Sequence, residues 1–219
     1  MGNILGNRAA HGAGRLAFRR RAFGRLLLLW TLAFCHSGCH PTSLVDTMPL
    51  DAAGMSYDAI QQLKSLRVTA PEVAQIAKAR QGGLSDAGCV TAVQIFHARG
   101  QTFDAGDAIA GLVQAGMSEN TILALASLNQ LGLGAGDLQA MRLATLPETI
   151  ILEVARHHAA GQPVLAGASF ASLKNAGLRE STLLELARHG VPDSQAGAIL
   201  AFRRQGASDE QILRRFAGP

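Results

Sequence analysis

The chain has 219 residues, is 48% hydrophobic and only 5% aromatic, and carries a formal net charge of +4. Its length is enough for one domain or one array with a real core, and the scarcity of aromatics favours closely spaced helices packed through Ala, Leu and Gly over a thick sandwich of large side chains. Six of the 20 basic residues precede position 26 and all 16 acidic residues follow position 45. From Cys39 onward, fourteen basic residues therefore face sixteen acidic ones, a net charge of −2 that excludes a broad electrostatic case for nucleic acid.

The first stretch reads as an address. Arg15 to Arg25 is a basic run without an acid, and Leu26 to Phe34 is a nine-residue apolar core. Such a core is too short to span a bilayer, which needs roughly 20 residues. A basic segment, a short apolar run and then small residues have the order of a secretory signal. Ser37-Gly38-Cys39 resembles the end of a bacterial lipoprotein signal, in which the cysteine is lipidated and becomes the mature N-terminus. The pattern is broken at His36, where an aliphatic residue is usual. Cys35 is the rival cysteine, with Leu32 three before it but the bulky Phe34 next to it. Arg20-Arg21-Ala22-Phe23 is similar to a twin-arginine export signal, departing from it at Phe18-Arg19 and Gly24. The resemblance implies a signal peptide over 1–38, lipidation at Cys39 and attachment to the membrane through that lipid. The location would be the bacterial cell envelope, facing the periplasm or exterior; ordinary signal cleavage would instead leave a soluble periplasmic or secreted protein.

Residues 39–53, with Pro41 and Pro49, read as a lipid-proximal linker. Residues 54–219 read as an α-helical repeat domain. Ser56 to Leu66 places Ile60, Leu63 and Leu66 on one face, and Pro71 suits the first turn of the next helix. Ser85 to Ala98 stops at Gly100, and Asp104 is a candidate cap for the helix bearing Ile109 and Leu112. Ser118 to Asn129 carries Ile122, Leu125 and Ala126 at i, i+3, i+4. Gly132, Gly134 and Gly136 make the loosest joint. A short helix over Asp137 to Leu143 follows, then Pro147 to His158, Ala166 to Ala176, Arg179 to His189, one opened by Pro192, and a last one capped by Ser208. No segment alternates with period two for long enough to be a strand. The expectation is an all-α array of about twelve short helices in tandem helix-turn-helix repeats, an α-solenoid-like superhelix. Helices this short are marginal alone and must be held by their neighbours.

The repeat rests on a recurring joint. In Gly116-Met117-Ser118 with Ile122, glycine suits the left-handed position past a helix end and serine the N-cap of the next. Met117 and Ile122 have the spacing of a hydrophobic staple. The same grammar recurs at Gly54-Met55-Ser56 with Ile60, Gly83-Leu84-Ser85 with Cys89, Thr145-Leu146-Pro147 with Ile151, Gly177-Leu178-Arg179 with Leu183, and Gly206-Ala207-Ser208 with Ile212. Successive joints are 29, 33, 29, 32 and 29 residues apart, and the alternation predicts a larger unit of two copies. His97-Ala98-Arg99-Gly100-Gln101, echoed 61 residues later at His158-Ala159-Ala160-Gly161-Gln162, supports it.

Candidate chemistry is sparse. Cys35-His36-Ser37-Gly38-Cys39-His40 has three residues between its cysteines where covalent haem attachment wants two, and it straddles the expected cleavage point. Cys89 fills a staple position and reads as a small buried hydrophobe. His97, His157, His158 and His189 stand near helix C-termini, where the dipole favours them without any metal. No nucleophile elbow, phosphate loop or carboxylate pair is evident, so no catalytic, cofactor-binding or metal residue is assigned. Arg203-Arg204 and Arg214-Arg215 make a basic end able to touch acidic phospholipid or wall polymer.

Ala108 to Leu125 resembles a helix-turn-helix of DNA-binding proteins, through Gly116, Met117 and the spacing of small and apolar residues. That resemblance implies Ser118, Glu119 and Asn120 facing a major groove. The negative mature charge, Glu119 itself and the export leader all oppose it. The expected role is an exported, lipid-anchored helical-repeat protein that acts as a protein–protein interaction or envelope scaffold module, with no nucleic-acid partner. The alternatives are a small-ligand binder or enzyme using a groove of the array, and a DNA-binding protein.

Overall fold

The computed structural model describes residues 45–132 and 135–218; the leader, Cys39 and the first part of the linker lie outside them. Twelve described residues have positive φ, and each stands just past the end of one of twelve α-helices. The helices are α1 (Met48–Ala52), α2 (Tyr57–Ser65), α3 (Ala70–Gln81), α4 (Asp86–Ala98), α5 (Gly106–Gln114) and α6 (Glu119–Ser127), followed by α7 (Ala135–Leu143), α8 (Glu148–Ala159), α9 (Gly167–Asn175), α10 (Glu180–Arg188), α11 (Ala196–Arg204) and α12 (Asp209–Phe216). Nine of the twelve left-handed residues are glycine; the others are Arg67, Asn129 and Thr145. At the first eleven ends the following N–H turns back to a carbonyl five residues earlier, as in Met117 N–H to Leu112 O at 3.0 Å, which satisfies orphan carbonyls. No strand occurs among the described residues.

Helix starts follow the same economy. The hydroxyls of Ser56, Ser85, Ser118 and Ser208 accept from the backbone N–H three residues on. Every staple pair is buried, from Met55 with Ile60 to Ala207 with Ile212, Cys89 included. Burial pushes the Cys89 thiol up to about 12, which keeps it a neutral, unreactive core residue.

The helices form two rows, each touching only near neighbours, as in a repeat array. The even row runs unbroken, α2 on α4, α4 on α6, α6 on α8, α8 on α10 and α10 on α12. In the odd row α1 packs on α3, α3 on α5, α7 on α9 and α9 on α11, whereas α5 and α7 share no comparable interface. The two-copy unit appears here too. Seven-residue stretches from Gly100 to Gly106 and from Gly161 to Gly167 bury Phe103 and Val164, 61 residues apart, and introduce α5 and α9.

Three local expectations differ. Helix α1 falls inside the 39–53 segment read as a linker, with Leu50 wholly buried against the array; a five-residue helix entered by Pro49 is too short to show a period. Ala105, not Asp104, is the N-cap of α5, and Asp104 is exposed. Pro192 opens a 3₁₀ turn, Asp193–Gln195, before α11 begins.

Candidate functional site

Polar links join each even helix to the next. The acid at the first helical residue accepts from the N–H of the previous N-cap: Asp86 from Ser56 at 2.9 Å, Glu119 from Ser85 at 2.9 Å, Glu148 from Ser118 at 2.7 Å and Asp209 from Arg179 at 3.0 Å. Hydroxyls reinforce them, as Ser85 Oγ does on Glu119, Thr121 Oγ1 on Glu148 and Thr182 Oγ1 on Asp209. The fifth copy explains itself. Glu180 would reach Pro147, which has no N–H, and pairs with Lys174 at 2.7 Å instead.

A basic residue six positions before the acid completes four of the five joints; at the Glu119 joint Val113 stands in that place. Arg80, Arg142, Lys174 and Arg203 donate to the carbonyls of Gly54, Gly116, Thr145 and Gly177, the left-handed residues one repeat back. Asp86 is held below the usual carboxylate range by its bonds from Ser56, aided by Arg80. Burial works against ionisation at Glu148 and Asp209, but the hydroxyl and N–H donors outweigh it and hold both low. Ser118 and Glu119, which the helix-turn-helix resemblance would aim at a groove, thus commit their polar atoms to the repeats on either side.

The most enclosed carboxylate among the described residues is Glu72, 2% exposed. It accepts from the Thr69 N–H and hydroxyl at 2.7 and 2.9 Å, the Phe103 N–H at 2.9 Å, and pairs with His97 Nε2 at 2.7 Å. Burial alone would raise its pKa; the Phe103 and Thr69 amides with His97 bring it down to about 2. This cluster fastens the α4–α5 connection onto α3. His157 stands 3.9 Å and His189 3.8 Å from Glu153 and Glu185, and His158 is exposed. Among the described residues no three His, Cys, Asp or Glu side chains gather as metal ligands would. The Arg215 guanidinium lies over Phe202 and Phe216, 4.7 and 5.5 Å from the ring centres. Cys39 lies outside the described residues. No described helix is long and apolar enough to cross a membrane.

The seam between α5 and α7 is open. A cleft of about 550 Å³ runs between them, floored by Leu112, Leu131 and Leu138, with Ala108, Gly111 and Ala115 along one wall and Arg142 and Leu143 along the other. Leu143 is 78% exposed. A hollow of about 260 Å³ shares Ala108 and Leu131 with it and continues toward Phe96 and Asp104. A Cβ on Gly106 would overlap the Gln75 carbonyl, and one on Gly167 the Asp137 carbonyl, so glycine lets α5 and α9 lie directly on α3 and α7. At the seam Arg142 reaches from α7 to the Gly116 carbonyl, and the even row runs past without a break.

Sequence reasoning located the joint at the Gly132 region but not the cleft, and missed Glu72, Arg142 and the acid ladder. The available signal was a basic residue three before and an acid three after four of the left-handed positions, Gly83, Thr145, Gly177 and Gly206. Compared with known proteins, the chain matches no protein-family model, no curated protein and no solved structure.

Proposed function

We propose that this chain is an exported, lipid-anchored scaffold module of the bacterial envelope that holds another protein in the α5–α7 cleft. The leader before Cys39 supports the address, and the −2 charge beyond it fits a protein partner better than a polyanion. The observation that carries the reading is the cleft itself. It is an open, largely apolar trough, with Leu143 standing at its rim. Burying Leu143 alone would contribute about 1.5–3 kcal/mol to an association. An exposed apolar patch rimmed by polar side chains is the usual mark of an interaction surface.

Two experiments test it. A clickable fatty acid should label the full chain in cells, and Cys39→Ala should lose both label and membrane retention; retained label rejects the anchor. A photoreactive amino acid at Leu143 should crosslink a protein in intact cells, while one at Tyr57, exposed on α2, should not. Equal crosslinking from both sites, or none from either, rejects the cleft as the binding surface.

A further inference from the structure

We infer that the occupant of the α5–α7 cleft is an amphipathic α-helix of the partner that carries basic residues at the end lying over Asp104 and Asp107. This rests on the cleft being the protein-binding site. The array shows what covers this kind of surface. The odd helices before and after the seam are each covered by the next odd helix, packed side by side; α5 is the interior member left without one. A helix entering there meets the same sort of wall that α5 presents to α3 from its other side.

Gly111 points the same way. It stands in the middle of α5, exposed, and a Cβ there would meet nothing within 4 Å. Gly106 and Gly167 are needed by neighbours inside the chain, and Gly88 by Glu119. Gly111 serves no contact among the described residues, although glycine is a poor residue for a helix interior. With Ala108 and Ala115 three before and four after it, it leaves a shallow trough in which another helix can lie close. The charge sets the polarity of the occupant. Arg142, at the far end, is already held by Glu148 and by the Gly116 carbonyl. Asp104 makes no ion pair or side-chain hydrogen bond among the described residues, and Asp107 reaches only the half-exposed Lys78. The near mouth is therefore acidic and open to a cation.

The test uses the full chain in detergent micelles and three labelled 18-residue probe peptides, followed by fluorescence anisotropy. The first has a Leu/Ala stripe at helical spacing and two lysines at one end; the second has glutamates in their place; the third is the first with a central proline. The lysine peptide should bind saturably and at least tenfold tighter than the other two. Gly111→Leu, which has room to fold, should weaken it at least tenfold while its melting temperature holds or rises. Asp104→Asn with Asp107→Asn should erase the preference for lysine over glutamate. Equal binding of the proline peptide, or indifference to Gly111→Leu, overturns the helical occupant. A lysine preference that survives both Asn changes overturns the assigned polarity. Mapping the Leu143 crosslink separates this from the reading beneath it. A crosslinked extended segment, or a second copy of this chain, overturns the inference while leaving a binding cleft. A crosslinked amphipathic helix with a basic end supports both.

Discussion

The backbone N–H of Ser85 donates to Glu119 across 34 residues at 2.9 Å, and the Ser85 hydroxyl donates to the other carboxylate oxygen at 2.8 Å. A helix start is thus capped twice, once by its own serine and once by the first acid of the next repeat. The room for that carboxylate comes from Gly88, whose Cβ would lie 2.7 Å from Glu119 Cδ.

Gly88 and Gly111 should therefore respond oppositely to alanine. Gly111→Ala should stabilise the fold by about 0.5–1 kcal/mol, the ordinary gain in a helix interior. Gly88→Ala should destabilise it by a similar amount because it displaces Glu119, and should become stabilising in a Glu119→Ala background. Urea unfolding of the four variants gives the coupling, expected at about 1–2 kcal/mol; additive effects would show that Gly88 does not serve the carboxylate.

Gly106→Ala meets backbone, not a movable side chain, so α3 and α5 must separate. A loss on the order of 2–3 kcal/mol is expected, at the upper end of overpacking costs. Gly167→Ala should match it against Asp137, and a melting temperature unchanged in both would contradict the close approach.

Left-handed positions offer a second pair. Thr145 has φ 54°, a conformation disfavoured for a β-branched residue, so Thr145→Gly should raise stability by about 1 kcal/mol. Gly116 has φ 75°, and Gly116→Val should lower it by about 1–3 kcal/mol. Thermal melts of both decide whether Thr145 is strained.

Acid should unfold the array through its depressed carboxylates. Glu72 lies at about 2 against an ordinary 4.5, with Asp86, Glu148 and Asp209 also held low. A group whose folded pKa is below its unfolded value contributes stability above the unfolded value and loses it as pH falls toward the folded one. Stability should be level above about pH 5 and fall between about 4.5 and 2. Glu72 alone accounts for about 3 kcal/mol at roughly 1.4 kcal/mol per pKa unit. In denaturation curves across pH, Glu72→Gln should cost most near neutrality and little near pH 2; an equal cost at both would mean the charge of Glu72 is immaterial.

Much of this fold was legible because its signals are local. Gly116, Met117, Ser118 and Ile122 lie within seven residues, and their bonds close over three to five positions, so the chain itself announces where helices stop and start. Helix α1 escaped because five residues display no period. The acids were visible only as favourable neighbours of a helix dipole; that Glu148 should reach Ser118 and Thr121 depends on how two helices 30 residues apart come together.

The sequence by itself determined the all-helical class, the six stapled joints and the two-copy period, since each follows from backbone conformation and spacing within one turn. Only the tertiary structure decided that Gly106 and Gly167 seat their helices on backbone, that Glu72 ties Phe103 to α3, and that α5 and α7 stay apart. Those outcomes depend on distances between helices, which sum packing from both rows and leave no mark on any single stretch of chain.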